Sequence, residues 1–241
     1  MISYELITCC GNREINEDCA ICIEHNGNHC FVVADGLGGH GKGEIASNML
    51  VSVFQELFDS CHVSTEAFLQ LAFDTAQEKI IEAQKSSHSL FEMKTTAVAL
   101  AVIDGKCRWG HIGDSRLYLF KKNKIKTRTL DHSVPQMLVM SKEIKARDIS
   151  RHPDRNRLLR VVGAEWDTQK YELSDEYDLA DCQAFLLCSD GFWELIEEKK
   201  MQLFLKKSPD AKEWLALMTK EVENNGNGKD MDNYTAIAVG N

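Results

Sequence analysis

Only three prolines occur in 241 residues, and the chain carries no Pro-rich tract, low-complexity segment or internal repeat. It therefore offers no linker at which to divide two domains and no solenoid period. No apolar run approaches the roughly 18 residues needed to span a bilayer. The opening MISYELITCC lacks the basic segment followed by an apolar one that marks a signal peptide. Positive charge is short too: 28 Lys and Arg against 37 Asp and Glu leave a net charge of −9, which argues against nucleic acid or an anionic membrane as partner. Cysteine is not scarce, at nine residues, but zinc or redox spacing is. No second pair follows Cys19 and Cys22, and most cysteines sit in apolar segments, which suits reduced thiols in a cytoplasmic protein.

Apolar alternation predicts strands over 4–10, 18–24 and 29–34, with HNGN at 25–28 as the turn between the last two. Ile45, Ala46, Met49, Leu50, Val53, Phe54, Leu57 and Phe58 recur at helical spacing, which predicts a helix with one buried face. A second helix is expected at about 65–85, with Phe68, Leu71, Ala72, Ala76, Ile80 and Ala83 inward. Strands follow at 95–104, 106–113, 116–122 and 124–130, then a polar middle at 132–168 with short helical pieces around 134–148. A strand over 183–190, helical segments from 191 and over 210–225, and a strand over 232–240 close the chain. Strand clusters flanking helix pairs imply an α+β fold of two mostly antiparallel sheets covered by helices.

The stretch ADGLGGHGKGE, residues 34 to 44, fits two nucleotide-binding patterns. Gly36, Gly38 and Gly41 spell G-x-G-x-x-G, and Gly36, Gly41 and Lys42 spell G-x-x-x-x-G-K. The second requires Ser or Thr next, to ligate the nucleotide's magnesium, and the chain has Gly43. The first requires an acidic residue ending a second strand about 20 positions on, where Glu56 and Asp59 fall inside the helical stripe. Asp35, just ahead of the first glycine, would face a phosphate with no cation between them, a repulsion of several kcal/mol at an effective dielectric near ~20.

Asp35 belongs to a series. Glu17 and Asp18 precede the second strand, Asp114 ends another in HIGDSR, Asp190 ends AFLLCSD, and Asp232 precedes the last strand. Singly, each reads as a turn or cap residue as readily as a ligand. Together they are hard oxygen donors without histidine or cysteine at zinc spacing, which suits Mg²⁺ or Mn²⁺.

With Arg13 to Asp18 as R-x-x-x-E-D, ADGLGGHGKGE, TTA followed by GHIGDSRLYL, DHS at 131–133, CSDGFWE and DNYTAIAV, the sequence resembles the PPM-type (type 2C) protein serine/threonine phosphatases, in a form closer to the bacterial branch. The resemblance spans about residues 4 to 240 and implies one catalytic domain over 1–241. It further implies a four-layer α-β-β-α sandwich, with helix pairs on both faces and a metal centre at one end. Asp35 would bridge two ions, Gly36 would ligate one through its carbonyl, and Asp190 and Asp232 would complete the first site. Glu17 and Asp18 would hold metal-bound waters, and Asp114 with Asp190 would form a third site. A water between the central ions would attack the ester, and Arg13 would grip the phosphate with its planar fork.

Gly36 gains a further role because a side chain there would crowd the carbonyl. Leu37 stands where animal members carry a histidine proposed as general acid, so that role has no holder. His40 reads as a solvated loop residue, His111 as a strand histidine, and Ser115, without a partnered histidine, not as a nucleophile. The polar middle occupies the position of the family's flap. Its Arg147, Arg151, Arg155, Arg157 and Arg160 suit a solvated face or a substrate contact alike. Phosphorylated proteins and a cognate kinase are the implied partners. A phosphatase dedicated to a partner-switching regulator, and an inactive relative serving as a binding module, stand as alternatives.

Overall fold

The computed structural model describes residues 2–38, 42–60, 63–86, 92–166 and 170–241, with the side chain of residue 60 left aside. His40 and Gly41 lie outside the described residues. Strands β1 (Ser3–Cys9), β12 (Tyr234–Gly240), β11 (Ala184–Cys188), β7 (Arg116–Lys121) and β8 (Lys124–Arg128) form one antiparallel sheet in that order. The second sheet runs β10 (Tyr177–Asp178), β6 (Lys106–Ile112), β5 (Ala97–Ile103), β3 (Asn28–Leu37), β2 (Asp18–His25). There β4 (Lys94–Thr95) adds to β3 and β9 (Glu172–Leu173) to β6.

The central strands are apolar throughout because both their faces are covered. On β3, Phe31 and Val33 point between the sheets, while Cys30, Val32 and Ala34 face the helices. On β5, Val98, Leu100 and Val102 point between the sheets and the small Ala97, Ala99 and Ala101 face outward. Those alanines let α1 (Lys42–Ser60) and α2 (Thr65–Ser86) approach the sheet closely, through Leu50, Phe54, Phe68 and Phe73. The other sheet repeats this. Phe185, Leu187, Ile237 and Val239 fill the middle, and Ala236, Ala238 and Leu186 pack against Trp214, Met218 and Met201. The latter three come from α5 (Glu198–Lys207) and α6 (Ala211–Gly226). Three apolar layers therefore separate four layers of structure, and burial of each at about 25 cal/mol per Å² supplies most of the drive to fold.

The helix stripes differ from expectation at two positions. Ile45 and Leu71 are 42% and 47% exposed. Ser47, Leu69 and Phe73 take inward places instead. Ser47 is drawn in by a 2.6 Å hydrogen bond from its hydroxyl to the Glu17 carbonyl. The polar middle contains α3 (Val134–Met140), capped by Ser133, and a 3₁₀ turn at Ala146–Arg151.

Candidate functional site

Strand register gathers the acidic residues. Asp18 lies directly opposite Asp35 on β2 and β3. In the facing sheet β11 stops at Cys188, which pairs with Ala236 of β12 and Arg116 of β7, so Asp190, Asp232 and Asp114 emerge beside one another. A short helix, α4 (Asp190–Trp193), starts at Asp190. Polar side chains tie the two sheets together here. Ser189 Oγ donates to Asp18 Oδ2 at 2.7 Å and accepts from Thr235 N at 3.0 Å. Asn233 Oδ1 accepts from Glu17 N at 2.8 Å, while its Nδ2 donates to the carbonyls of Cys10 and Ile15. Thr96 Oγ1 accepts from Asp35 N and meets Ser115 Oγ at 2.7 Å.

Electrostatically the cluster is only partly compensated. Asp18 and Asp114 are buried at 7% and 6% exposure, and Asp35 and Asp190 keep only a partly open edge. Burial pushes the Asp18 carboxyl up to about 7, against hydrogen bonds from Ser189 and Thr235, and repulsion from Asp190 and Asp232 adds to it. Burial, then repulsion from Asp18, Asp190, Asp114 and Asp232, holds Asp35 well above the carboxylate range. Asp114 is raised by burial and by Asp190 and Asp131, against the pull of Arg116. Asp190 is raised by burial and Asp232, offset by a hydrogen bond with Asp35. Glu17 rises mainly by burial. Glu17 Oε1 and Asp18 Oδ1 are buried with no hydrogen-bond partner.

Arg13 forks onto Asp232, Nε to Oδ1 and Nη2 to Oδ2 both at 3.0 Å, with both side chains nearly half exposed. Packing also requires glycine at position 36: a Cβ there would lie 2.3 Å from the backbone C and O of Gly43 and 2.6 Å from the Glu17 carbonyl. Gly191 is confined likewise by the Asn233 carbonyl at 2.1 Å. Ser115 is buried and committed to Thr96. His111 lies on β6, as expected.

Two of the flap arginines reach inward rather than only into solvent. Arg155 approaches Glu194 at 3.5 Å and Arg160 meets Glu172 at 3.0 Å, whereas Arg147 is 77% exposed.

Several supports carried no strong signal in sequence. Asn233, Ser189 and Thr96 resemble ordinary turn and strand residues, although all three lie in or beside the quoted motifs. Arg116 is a further case. It forks onto buried Asp131 at 2.7 and 2.6 Å and lies 3.3 Å from the Trp193 ring centre. Trp193 Nε1 donates in turn to the Asp114 carbonyl at 3.0 Å. His111, His132 and Glu172 also bring nitrogen and oxygen atoms within 4.8 Å of one another.

Residues 9–233 match the family model for protein phosphatase 2C. The chain belongs to that family. A serine/threonine phosphatase, Stp, of Listeria monocytogenes is 30% identical over 233 residues, covering 94% of this chain and 90% of its own length. The protein phosphatase PhpP of Streptococcus pneumoniae is 27% identical over 212 residues, 83% of each chain. The crystal structure of phosphatase Stp1 from Staphylococcus aureus superposes with a TM-score of 0.90 at 23% identity, over 100% of this chain and 95% of that one. A PstP catalytic domain solved in complex with 2 manganese ions gives 0.84 at 24%, over 99% and 97%. The α+β sandwich of these phosphatases is therefore the fold of this one, and the chain is a phosphatase of the 2C type. Among the described residues no helix is long and apolar enough to cross a membrane.

Proposed function

We propose that this 2C-type phosphatase hydrolyses phosphoserine and phosphothreonine on proteins, with divalent ions held by the carboxylates at the sandwich edge. The observation that carries this is the excess of buried negative charge. Burial, and then repulsion from neighbouring carboxylates, raises the pKa of Asp18, Asp35, Asp114 and Asp190, and two buried carboxylate oxygens stand without partners. Such a donor set, all hard oxygen, fits Mn²⁺ or Mg²⁺. Asp35 and the Gly36 carbonyl, with Asp190 and Asp232, are read as holding two ions, and Asp114 with Asp190 as holding a third. Glu17 and Asp18 are read as anchoring waters through their free oxygens.

When bound, such ions generate a nucleophilic water near neutral pH and neutralise charge on the phosphoryl oxygens. The chain's own contribution is position. Ser189, itself held by Thr235 N, donates to the Asp18 carboxylate, while Asn233 and Thr96 accept from the backbone N–H groups of Glu17 and Asp35, so little reorganisation remains during reaction. Arg13 is held at the rim by Asp232, its fork suited to a bidentate phosphate contact. We read residues 1–241 as one catalytic domain, with 132–168 as its flap. We further read the protein as cytoplasmic and opposed to a serine/threonine kinase.

Release of phosphate from a phosphothreonine peptide and from p-nitrophenyl phosphate tests the reading. Mn²⁺ should support both reactions, EDTA should abolish them, and Asp190→Ala should be inactive under either condition. Metal-independent release, or none from either substrate with Mn²⁺ or Mg²⁺, overturns the proposal.

A further inference from the structure

His132 sits at a junction the catalytic reading does not use. It is 4% exposed and contacts the 113–114 turn twice. Its backbone N–H donates to the Gly113 carbonyl at 2.8 Å, and its ring Nδ1 accepts the Gly113 N–H at 3.2 Å. Its own carbonyl accepts from Leu159 N at 2.8 Å, and Val134 N donates to the Arg157 carbonyl at 3.0 Å. Ring Nε2 lies 3.1 Å from Glu172 Oε1, the oxygen that also takes Arg160 Nη2 at 3.0 Å. The His111 ring stacks on it, centres 4.6 Å apart.

The grouping of His111, His132 and Glu172 invites a metal, and hydrogen-bond bookkeeping excludes one. A backbone N–H only donates, so His132 Nδ1 holds a lone pair and the neutral ring carries its proton on Nε2. A ligating imidazole needs the opposite: a lone pair toward the metal and an N–H on its other nitrogen. His111 Nε2 faces the Leu130 carbonyl at 2.9 Å, which only accepts, leaving Nδ1 as that ring's single lone pair. Glu172 Oε1 is already shared between Arg160 and the His132 ring. His132 therefore has no lone pair to turn toward an ion, and the group falls short of three ligands.

We propose that His132 is a positioning residue for Asp114, locking the Gly113–Asp114 turn to the flap segment at 157–160. Gly113 has φ of +96°, which glycine adopts freely, and a Cβ there would lie 2.6 Å from the Thr96 side chain, so the turn is built from a residue with wide backbone freedom and its conformation is fixed by its contacts. On its far side the Asp114 carbonyl is fixed by Trp193 Nε1. His132 supplies the opposing constraint, its tautomer set by the Gly113 N–H that Nδ1 accepts. This role for His132 rests on the reading of Asp114 as an ion ligand.

Paired substitutions separate the atoms. In His132→Asn the amide oxygen reaches the place of Nδ1 and can accept from Gly113, while in His132→Gln the polar end reaches the place of Nε2 and cannot. Mn²⁺ binding followed by calorimetry on chelator-treated protein, with Asp114→Ala as reference, identifies the component of the isotherm that belongs to Asp114. His132→Gln should weaken that component about 10- to 100-fold, the usual effect of losing a residue that orients a ligand. His132→Asn should keep it within about threefold of the parent protein on the same principle. Circular dichroism melts in EDTA show whether both variants fold. Equal behaviour of Asn and Gln, or weakening that follows melting temperature alone, overturns the positioning role while leaving the catalytic reading intact. An Asp114→Ala isotherm identical to the parent's overturns the reading of Asp114 itself, and the inference with it.

Discussion

Replacing Asp18 by asparagine should stabilise the chelated protein, more at pH 8 than at pH 5. The Asp18 carboxyl is raised from 3.8 to about 7 in the folded state, so in this range the folded protein binds more protons than the unfolded one. Stability consequently falls as pH rises from about 4 to about 7, and the full penalty is present above that window. Three units at 1.36 kcal/mol each put the penalty at about 4 kcal/mol at pH 8 and about 2 kcal/mol at pH 5. Asparagine carries no such charge. Its side-chain oxygen can still accept the Ser189 hydroxyl, now 2.7 Å from Oδ2, and its amide can donate toward the neighbouring carboxylates.

For a chain of this size about 4 kcal/mol corresponds to a melting shift on the order of 10 °C, and the gain at pH 5 should be about half of that. Melts by circular dichroism in EDTA at the two pH values measure both. With saturating Mn²⁺ the order should reverse, because ions bound only to the folded state stabilise the parent, which keeps the full set of carboxylates. A gain equal at both pH values, or none in EDTA, would refute the assignment of the strain to charge at Asp18.

Gly36→Ala should lose catalysis and stability together, because its Cβ meets the Gly43 backbone at 2.3 Å. Gly27→Ala, with φ of +78° and nothing within 4 Å, should cost only about 1 kcal/mol by urea unfolding. Arg116→Met leaves Asp131 buried without its fork and should cost about 3–5 kcal/mol. The double variant with Asp131→Leu should recover most of that loss, and its failure to do so would mean that the Trp193 stack, not the ion pair, is what matters.

Most of the scaffold was legible because its strands are covered on both faces. Continuous apolar runs such as AFLLC and YTAIAV leave little choice of partner. The two-residue strands β9 and β10 were not, since two residues carry no periodicity. Ile45 and Leu71 misled for the opposite reason: each continues a helical stripe, yet the covered arc of its helix is displaced, toward Ser47 in α1 and toward Leu69 and Phe73 in α2. Within the site, carboxylates stood out because an acid at the end of an apolar strand has no packing purpose. Asn233, Ser189, Thr96 and His132 did not, because a residue that hydrogen-bonds to backbone looks in sequence like any turn residue.

That division has a physical origin. Four mutually repelling carboxylates cannot hold themselves in place, so their positions must be imposed by strands whose register is set elsewhere. A one-residue slip of β2 against β3 would move Asp18 away from Asp35 and also turn Ala20 and Cys22, which pack against the inter-sheet core, to the opposite face. The same apolar alternation that folds the sheets therefore holds the acids together. Hydrogen bonds from Ser189 and Thr96 then act on residues already brought into register, refining orientation rather than creating proximity. On this view replacing a polar support such as Ser189 should weaken metal binding without abolishing it, whereas shifting the register of β2 by inserting one residue at the 25–28 turn should abolish Mn²⁺ binding measured by calorimetry. Retained binding in the insertion variant would show that the carboxylates find one another without the sheet.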